Sequence, residues 1–366
     1  MVDHDILHSI LKEEIGLNGM VFQWFSSFLS GRTQSTKIGD SHSKLRDISY
    51  GVPQGSVLGP VLFNIYVRNF IATLEKAGFI VHGYADDHQL TYSFRIEFQY
   101  NAVCHFLPTG LDLISQLMSS YFLKLNAGKS QLLIFTPKNI RNQLFIDKVY
   151  LGHNTFIPVS LEAINLGVKL DHALTFAPQI NMIISQGYSL ISNIGQIRRY
   201  LNTDDLRTIV QALIVGKIDN CNSLLYGVSE YEITRLQKLQ NSCARLIFGK
   251  KKYDSVSELL TKLHWLPIKQ RIYFKILLLV FKFFKSRTPV YINECLQTAD
   301  NINLVIPRTL TPYGDRAFQN CAPRLWNSLP LNIRCIDTIA TFKKHLKHYL
   351  FNNFQEFKSD IERYIT

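Results

Sequence analysis

The chain is poor in the features that staple or anchor a fold. Its six Cys, at 104, 221, 243, 295, 321 and 335, form no C-x-x-C pair, and no His follows at zinc-finger spacing. This argues against a structural zinc or a disulfide framework and suits a reducing compartment. Long apolar runs are missing too. The greasiest stretch, Ile272 to Phe284, is short and interrupted by Lys275 and Lys282, so it is not read as a membrane span. The opening residues, MVDHDILHSILKEE, lack the basic and apolar regions of a signal peptide. Neither an internal repeat nor a low-complexity tract is present.

What the sequence does contain is typical of a folded chain. Hydrophobic residues make up 46% and charged residues 19% of 366 positions, a length that predicts two or three units. The net charge of +12 is unevenly placed. Residues 1–190 carry 14 Lys and Arg against 14 Asp and Glu, whereas residues 191–366 carry 26 against 14. A basic second half points to a polyanionic partner, most commonly nucleic acid, with a merely basic surface as the alternative.

Periodicity predicts a helix over residues 3–15, with Asp3 and Asp5 near its N-terminus, and another over 18–30 ending at Gly31. TQSTKIGDSHSKLRDISYG alternates about a Gly-Asp turn and predicts a hairpin. GVPQGSVLGP is a Gly/Pro loop, followed by a helix in VLFNIYVRNFIATLEKAG. A helix is predicted over 108–125, then short strands in QLLIFT and NLGVKLD. From about residue 183 the pattern is helical. Residues 297–312 read as a linker, and APRLWNSLP around Trp326 as a packing turn.

FIVHGYADDHQLTYSF, residues 79–94, alternates on both sides of Asp86-Asp87 and predicts a hairpin with both aspartates at its tip. Adjacent carboxylates repel unless a cation lies between them. Magnesium suits this arrangement, because it takes few carboxylates and keeps water and phosphate oxygens as its other ligands. Two such ions can clamp the attacking and leaving oxygens of a phosphoryl transfer. A plain surface turn is the bland alternative. In the loop, Gly51, Gly55 and Gly59 allow close backbone approach to a ligand, and Gln54 offers a neutral donor and acceptor.

Together, Tyr84-Ala85-Asp86-Asp87 and the preceding G-V-P-Q-G-S-V-L-G-P at Gly51–Pro60 resemble the palm of a reverse transcriptase, most closely the non-LTR (LINE-type) retrotransposon class. The resemblance extends through WFSSFLSGRTQ (24–34), LKLNAGKSQ (123–131) and NLGVKLDHALTF (165–176). It continues in KIDNCNSLLYG (217–227), LQNSCARLIFG (239–249), LHWLPIKQRIYFK (263–275), APRLWNSLP (322–330) and TFKKHLKHYLF (341–351).

This resemblance implies an α+β fold: a partial right-hand polymerase palm, with a ferredoxin-like sheet and helices, over residues 1–182. An all-α thumb-like region would follow over 183–296, then a linker and basic C-terminal segment over 297–366. It implies RNA-directed DNA polymerisation with an RNA template, a DNA primer or target and dNTPs, in the nucleus or cytoplasm, with no membrane and no protein partner. Asp86 and Asp87 would bind metal, with two Mg2+ (or Mn2+) ions expected only in the intact domain. Tyr84 would pack beside the primer end. Pro53, Gln54 and Gly55 would border nucleotide and template, and Lys129, with Asn126, would lie near the triphosphate. Leu166, Gly167 and Val168 would form the primer grip. Arg271, Lys275, Lys282 and Lys285, a stripe at helical spacing, would track nucleic-acid backbone, unless they are a solvated face.

The family's third catalytic aspartate lies on a strand whose following segment reads F-D-x-V-D-H. Val2-Asp3-His4 matches the end of that segment, so the resemblance places the third carboxylate, and the fingers, ahead of Met1. Asp3 and Asp5 are expected in the following helix, and the chain alone is expected to be inactive. The alternative is a non-enzymatic retroelement relic that binds nucleic acid through its basic half. An unrelated metal nuclease is weaker, since no His or Glu cluster accompanies Asp86 and Asp87.

Overall fold

The computed structural model describes residues 2–137, 141–150 and 156–362. The chain divides into two compact units, Met1–Ala163 and Ile164–Thr366. The first mixes helices with small sheets and the second is mostly helical, an α+β chain as the sequence implies.

In the first unit, Asp3 starts the opening helix His4–Ser9. Its carboxylate accepts from the backbone N–H of Asp5 at 3.0 Å and of Ile6 at 3.1 Å, satisfying donors that the helix itself cannot. Leu7 on its buried side, with Ile10 and Leu11 of the π-helical turn Ile10–Glu14 that continues it, meets Leu29 of the helix Gly19–Leu29 and Leu62, Tyr66 and Val67 from the segment after the Gly/Pro loop. The helix predicted for that segment is two helices, Gly59–Tyr66 and Arg68–Lys76, hinged at Val67. Burying each large apolar side chain stabilises the fold by about 1.5–3 kcal/mol.

Between these elements the chain runs out as an arm. Thr33–Gln34 pairs with Arg46–Asp47, and Lys37–Ile38 pairs with Ser41–His42 across the predicted Gly39-Asp40 turn. Every residue from Thr33 to Asp47 is exposed. A second apolar cluster gathers Phe70, Leu74, Phe79, Val81 and Ile114, joining the helices Arg68–Lys76 and Leu107–Ser120 to the hairpin that carries the aspartates. Gly110 sits so close to Phe79 that a Cβ there would lie 2.3 Å from the ring. The strand predicted in QLLIFT is short, Leu132–Leu133, and lies parallel to Phe156–Ser160, which pairs antiparallel with Lys148–Tyr150. Among the described residues no sheet exceeds three strands.

Past the strand pair Glu162–Asn165 and Val168–Asp171, the second unit is built on helices. Ala177–Ile197 packs on Glu230–Phe248, where Gly187 admits Leu239 and a Cβ would lie 2.7 Å from a Leu239 methyl. Ser229 caps the second of these helices through the N–H of Glu232, and Gly249, at φ +65°, ends it. The helix Ile268–Phe284 is buried along most of its length, with Phe281 stacked on Phe342 and Phe284 on Trp326.

The segment around Trp326 is a helix, Phe318–Asn327, rather than a turn. Trp326 Nε1 donates to Ile302 O at 2.7 Å, and the Asn327 side chain donates to Leu304 O and accepts from its N–H. Part of the stretch read as a linker is thereby fixed against this helix, with Leu304 buried. Among the described residues, no helix is long and apolar enough to cross a membrane.

Candidate metal and nucleic-acid site

The aspartate hairpin pairs Ile80–Tyr84 with Asp87–Thr91, and Tyr84 faces Asp87 as the last pair. The loop is therefore Ala85-Asp86, with Asp87 already on the returning strand. Ala85 adopts φ +54°, a conformation costly for a residue with a Cβ. Alternation divides the two strands. Val81, His88 and Leu90 face the apolar cluster, and the His88 ring lies 5.2 Å from that of Phe70. Ile80, His82, Tyr84, Asp87 and Gln89 are exposed, Tyr84 by 69%.

Asp86 and Asp87 are both exposed, and neither carboxylate has an ion pair or hydrogen bond among the described residues. His88 lies on the opposite face of its strand from Asp87, with its ring against Phe70 and its Nδ1 buried without a partner. Burial holds its imidazole below the ordinary value, against the raising influence of Asp86 and Asp87. Among the described residues, no three His, Cys, Asp or Glu side chains gather into a metal cluster. Two free carboxylates fit a hard cation that keeps most of its water; they do not form a protein cage.

The Gly/Pro loop is tied to the first residues. Gly51 N donates to Val2 O at 2.6 Å, His4 Nε2 lies 2.7 Å from Gly51 O, and Asp3 bridges Tyr50. Gly51 and Gly55 take φ +90° and +81°, which only glycine adopts without strain. Ser56 closes the turn, its hydroxyl donating to Pro53 O and accepting from Gly59 N. This leaves Gln54 and Gly55 exposed at the tip and Pro53 partly covered. Lys129 is exposed on a turn that Asn126 organises, its carbonyl and side-chain oxygen both accepting from Lys129 N.

Two features of this unit escape the sequence reading. Tyr66 is fully buried, and its hydroxyl donates to Tyr121 O while accepting from Asp3 N, joining three distant segments. Burial raises its phenol above the ordinary value. The other feature is a half-exposed ladder. Trp24, 54% exposed, stacks on Phe28, and the Arg32 guanidinium lies 4.6 Å from the Phe28 ring centre. Trp24 and Phe28 are four apart on one face of the helix Gly19–Leu29, a spacing legible in WFSSF once the helix is assigned, and Arg32 follows beyond its end.

Leu166 and Gly167 turn between the strands Glu162–Asn165 and Val168–Asp171 with φ +46° and +80°. Leu166 is exposed and Val168 buried. The basic stripe on Ile268–Phe284 is not uniform. Arg271 donates to Asp219 at 2.6 Å and to Leu266 O, and lies over Trp265. Lys285 lies 3.4 Å from Asp337 and over Phe281, whereas Lys275 is exposed and Lys282 half-buried.

Residues 2–170 match the family of reverse transcriptases, RNA-dependent DNA polymerases. The chain is 28% identical over 257 residues to the probable RNA-directed DNA polymerase from transposon X-element of Drosophila melanogaster, an alignment covering 65% of this chain and 26% of that protein. It is also 28% identical over 237 residues to the corresponding protein of transposon BS from the same fly, covering 60% and 25%. Against the RNA-directed DNA polymerase from mobile element jockey of Drosophila funebris, identity is 28% over 245 residues, covering 63% and 25%. The chain thus spans about a quarter of the length of these curated relatives.

Proposed function

We propose, for a chain whose residues 2–170 belong to the reverse transcriptase family and are related to the polymerases of non-LTR retrotransposons, that it supplies the palm and following helical region of an RNA-directed DNA polymerase. The observation that carries this reading is the free carboxylate pair at the tip of the Tyr84 hairpin. Asp86 and Asp87 contribute two ligands for Mg2+ or Mn2+, and the metal supplies charge neutralisation for phosphoryl transfer from a dNTP. Tyr84, exposed beside Asp87, supports a primer end. Pro53, Gln54 and Gly55 border template and nucleotide, Lys129 offers a cation to the triphosphate, and Leu166–Val168 form the primer grip. Lys275 and Lys282 contact nucleic-acid backbone, while Arg271 serves chiefly to hold Asp219. The palm assignment, as one half of a right-hand polymerase, belongs to the same proposal.

The described residues bring no third carboxylate to the pair. Residues 1–366 by themselves are therefore expected to bind divalent metal weakly and to polymerise negligibly. RNA-templated primer extension with Mg2+ tests this, and extension that is lost in Asp86→Ala would overturn it. The basic second half favours a second reading, in which the chain binds nucleic acid without catalysis. Steeply salt-dependent binding that is unchanged in Asp86→Ala supports it.

A further inference from the structure

The helical unit contains a cluster of charged and hydroxyl groups that polymerase chemistry leaves unused. Two of the sequence segments without a catalytic role meet there: KIDNCNSLLYG ends in Tyr226-Gly227, and APRLWNSLP contains Arg324. They line a cavity of about 220 Å³ together with Tyr273 and Arg316. Gly227, at φ +69°, makes room for Arg316, since a Cβ there would lie 2.5 Å from the Arg316 Cγ.

The cations Lys269, Arg316 and Arg324 line this cavity beside the carboxylates Glu230 and Asp315. Arg316 Nε donates to Tyr226 O at 3.2 Å and one terminal nitrogen donates to Leu174 O at 2.9 Å, but no carboxylate pairs with it among the described residues. Burial holds its guanidinium below the ordinary value, against the raising influence of Tyr313 and Asp171. Arg324 is 6% exposed, and its Nε is buried with no partner. The hydroxyls of Tyr226 and Tyr273 have no hydrogen-bond partner among the described residues either. The carboxylates at the rim are already engaged. Asp315 accepts from Arg324 at 2.8 Å and from Thr309, and Glu230 pairs with Lys269.

We propose that this cavity binds an anion of the phosphate-monoester class, whose several oxygens accept from Arg316, Arg324, Tyr226 and Tyr273. Arginine suits such an oxyanion because its planar fork matches two oxygens at once. The volume admits a phosphate group but is below the range typical of a drug-sized ligand, roughly 300 Å³ and above. Free inorganic phosphate and the 5′-phosphate of a nucleic-acid strand share this chemistry. The site is independent of the polymerase reading.

The test is calorimetric titration of the full chain with inorganic phosphate, beside chloride at matched ionic strength. Saturable binding of phosphate is expected. It should weaken at least tenfold in the double variant Tyr226→Phe, Tyr273→Phe, which removes two unpartnered hydroxyls and keeps both rings, and also in Arg316→Lys. Circular dichroism and the unfolding midpoint in chloride establish that the variants are folded. Competition by a 5′-phosphorylated oligonucleotide, but not its 5′-hydroxyl form, identifies a strand end; its absence identifies the free anion. Phosphate heats no different from chloride, or a folded double variant that binds as tightly as the parent, overturn the proposal.

Discussion

The Tyr66 hydroxyl donates to the carbonyl of Tyr121 at 2.6 Å, across 55 residues of chain. The same oxygen accepts from Asp3 N, so one phenol fixes the start of the first helix, the helix after the Gly/Pro loop and the end of Leu107–Ser120. Phenylalanine preserves the ring, including its edge contact with Tyr121, and removes only the oxygen. Two backbone groups then lose their partner inside the fold. Tyr66→Phe is expected to lower stability by about 1–3 kcal/mol. Urea unfolding, followed by a probe in the first unit, reads this; an unchanged midpoint would show that the linkage carries no stability.

Asp86 and Asp87 have no partner to lose, so their substitution separates site from fold. Asp86→Asn with Asp87→Asn removes the repulsion between adjacent carboxylates and should not lower the unfolding midpoint. It should abolish specific Mn2+ binding, read by electron paramagnetic resonance. Mn2+ binding that survives in the double variant would place the metal elsewhere.

The exposed Trp24 ring, stacked on the half-buried Phe28 with Arg32 beside it, offers a surface on which unpaired bases stack. The neighbouring arm adds Lys37, Lys44 and Arg46, all exposed. Trp24→Ala is expected to weaken binding of a single-stranded RNA oligonucleotide by about 1–3 kcal/mol, with little sequence preference. Fluorescence anisotropy at fixed salt measures it. Equal affinity in the variant would assign the ladder to packing alone.

Asp171 gives the second unit an acid-sensitive point. Burial alone would raise its carboxyl, but hydrogen bonds from Thr175 and Phe176 outweigh burial and hold it below the ordinary value. A depressed folded value means that the stabilisation is fully present above the unfolded value of about 3.9 and is lost as pH falls through the folded one. Asp171→Asn is expected to destabilise the unit at neutral pH. The gap from the parent should narrow as pH drops below about 3.9. Denaturant midpoints across that range test it, and a gap independent of pH would exclude the carboxylate as the cause.

These relationships also show where sequence reading reaches its limit. The Tyr84 hairpin and the Gly39-Asp40 turn were legible because alternation and turn residues are local signals. The family relationship rested on the same short motifs. Tyr66 was not legible, because its partners lie 63 and 55 residues away and its own neighbourhood reads as an ordinary apolar helix. Arg271 illustrates the same limit. Helical spacing placed it on a basic stripe, but periodicity identifies a face and not the neighbour on that face, which is Asp219, 52 residues earlier. The division at Val67 likewise carries no Gly or Pro to announce it.

Trp326 supplies the last test, since its segment looked unremarkable and proves central. It is 1% exposed, stacks on Phe284 with ring centres 5.1 Å apart, and lies 6.1 Å from Phe342. Its indole N–H also fixes Ile302 O. Alanine leaves a cavity between the helices Ile268–Phe284 and Ile339–Asn352, at an expected cost of about 3–5 kcal/mol. Phenylalanine retains most of the stacking area but leaves the Ile302 carbonyl without its donor, a loss of about 1–3 kcal/mol from the unpaired group. Denaturation monitored in the helical unit should therefore rank parent, Trp326→Phe and Trp326→Ala in falling stability. Equal losses in the two variants would mean that the hydrogen bond to Ile302, rather than the packed ring, holds this segment in place.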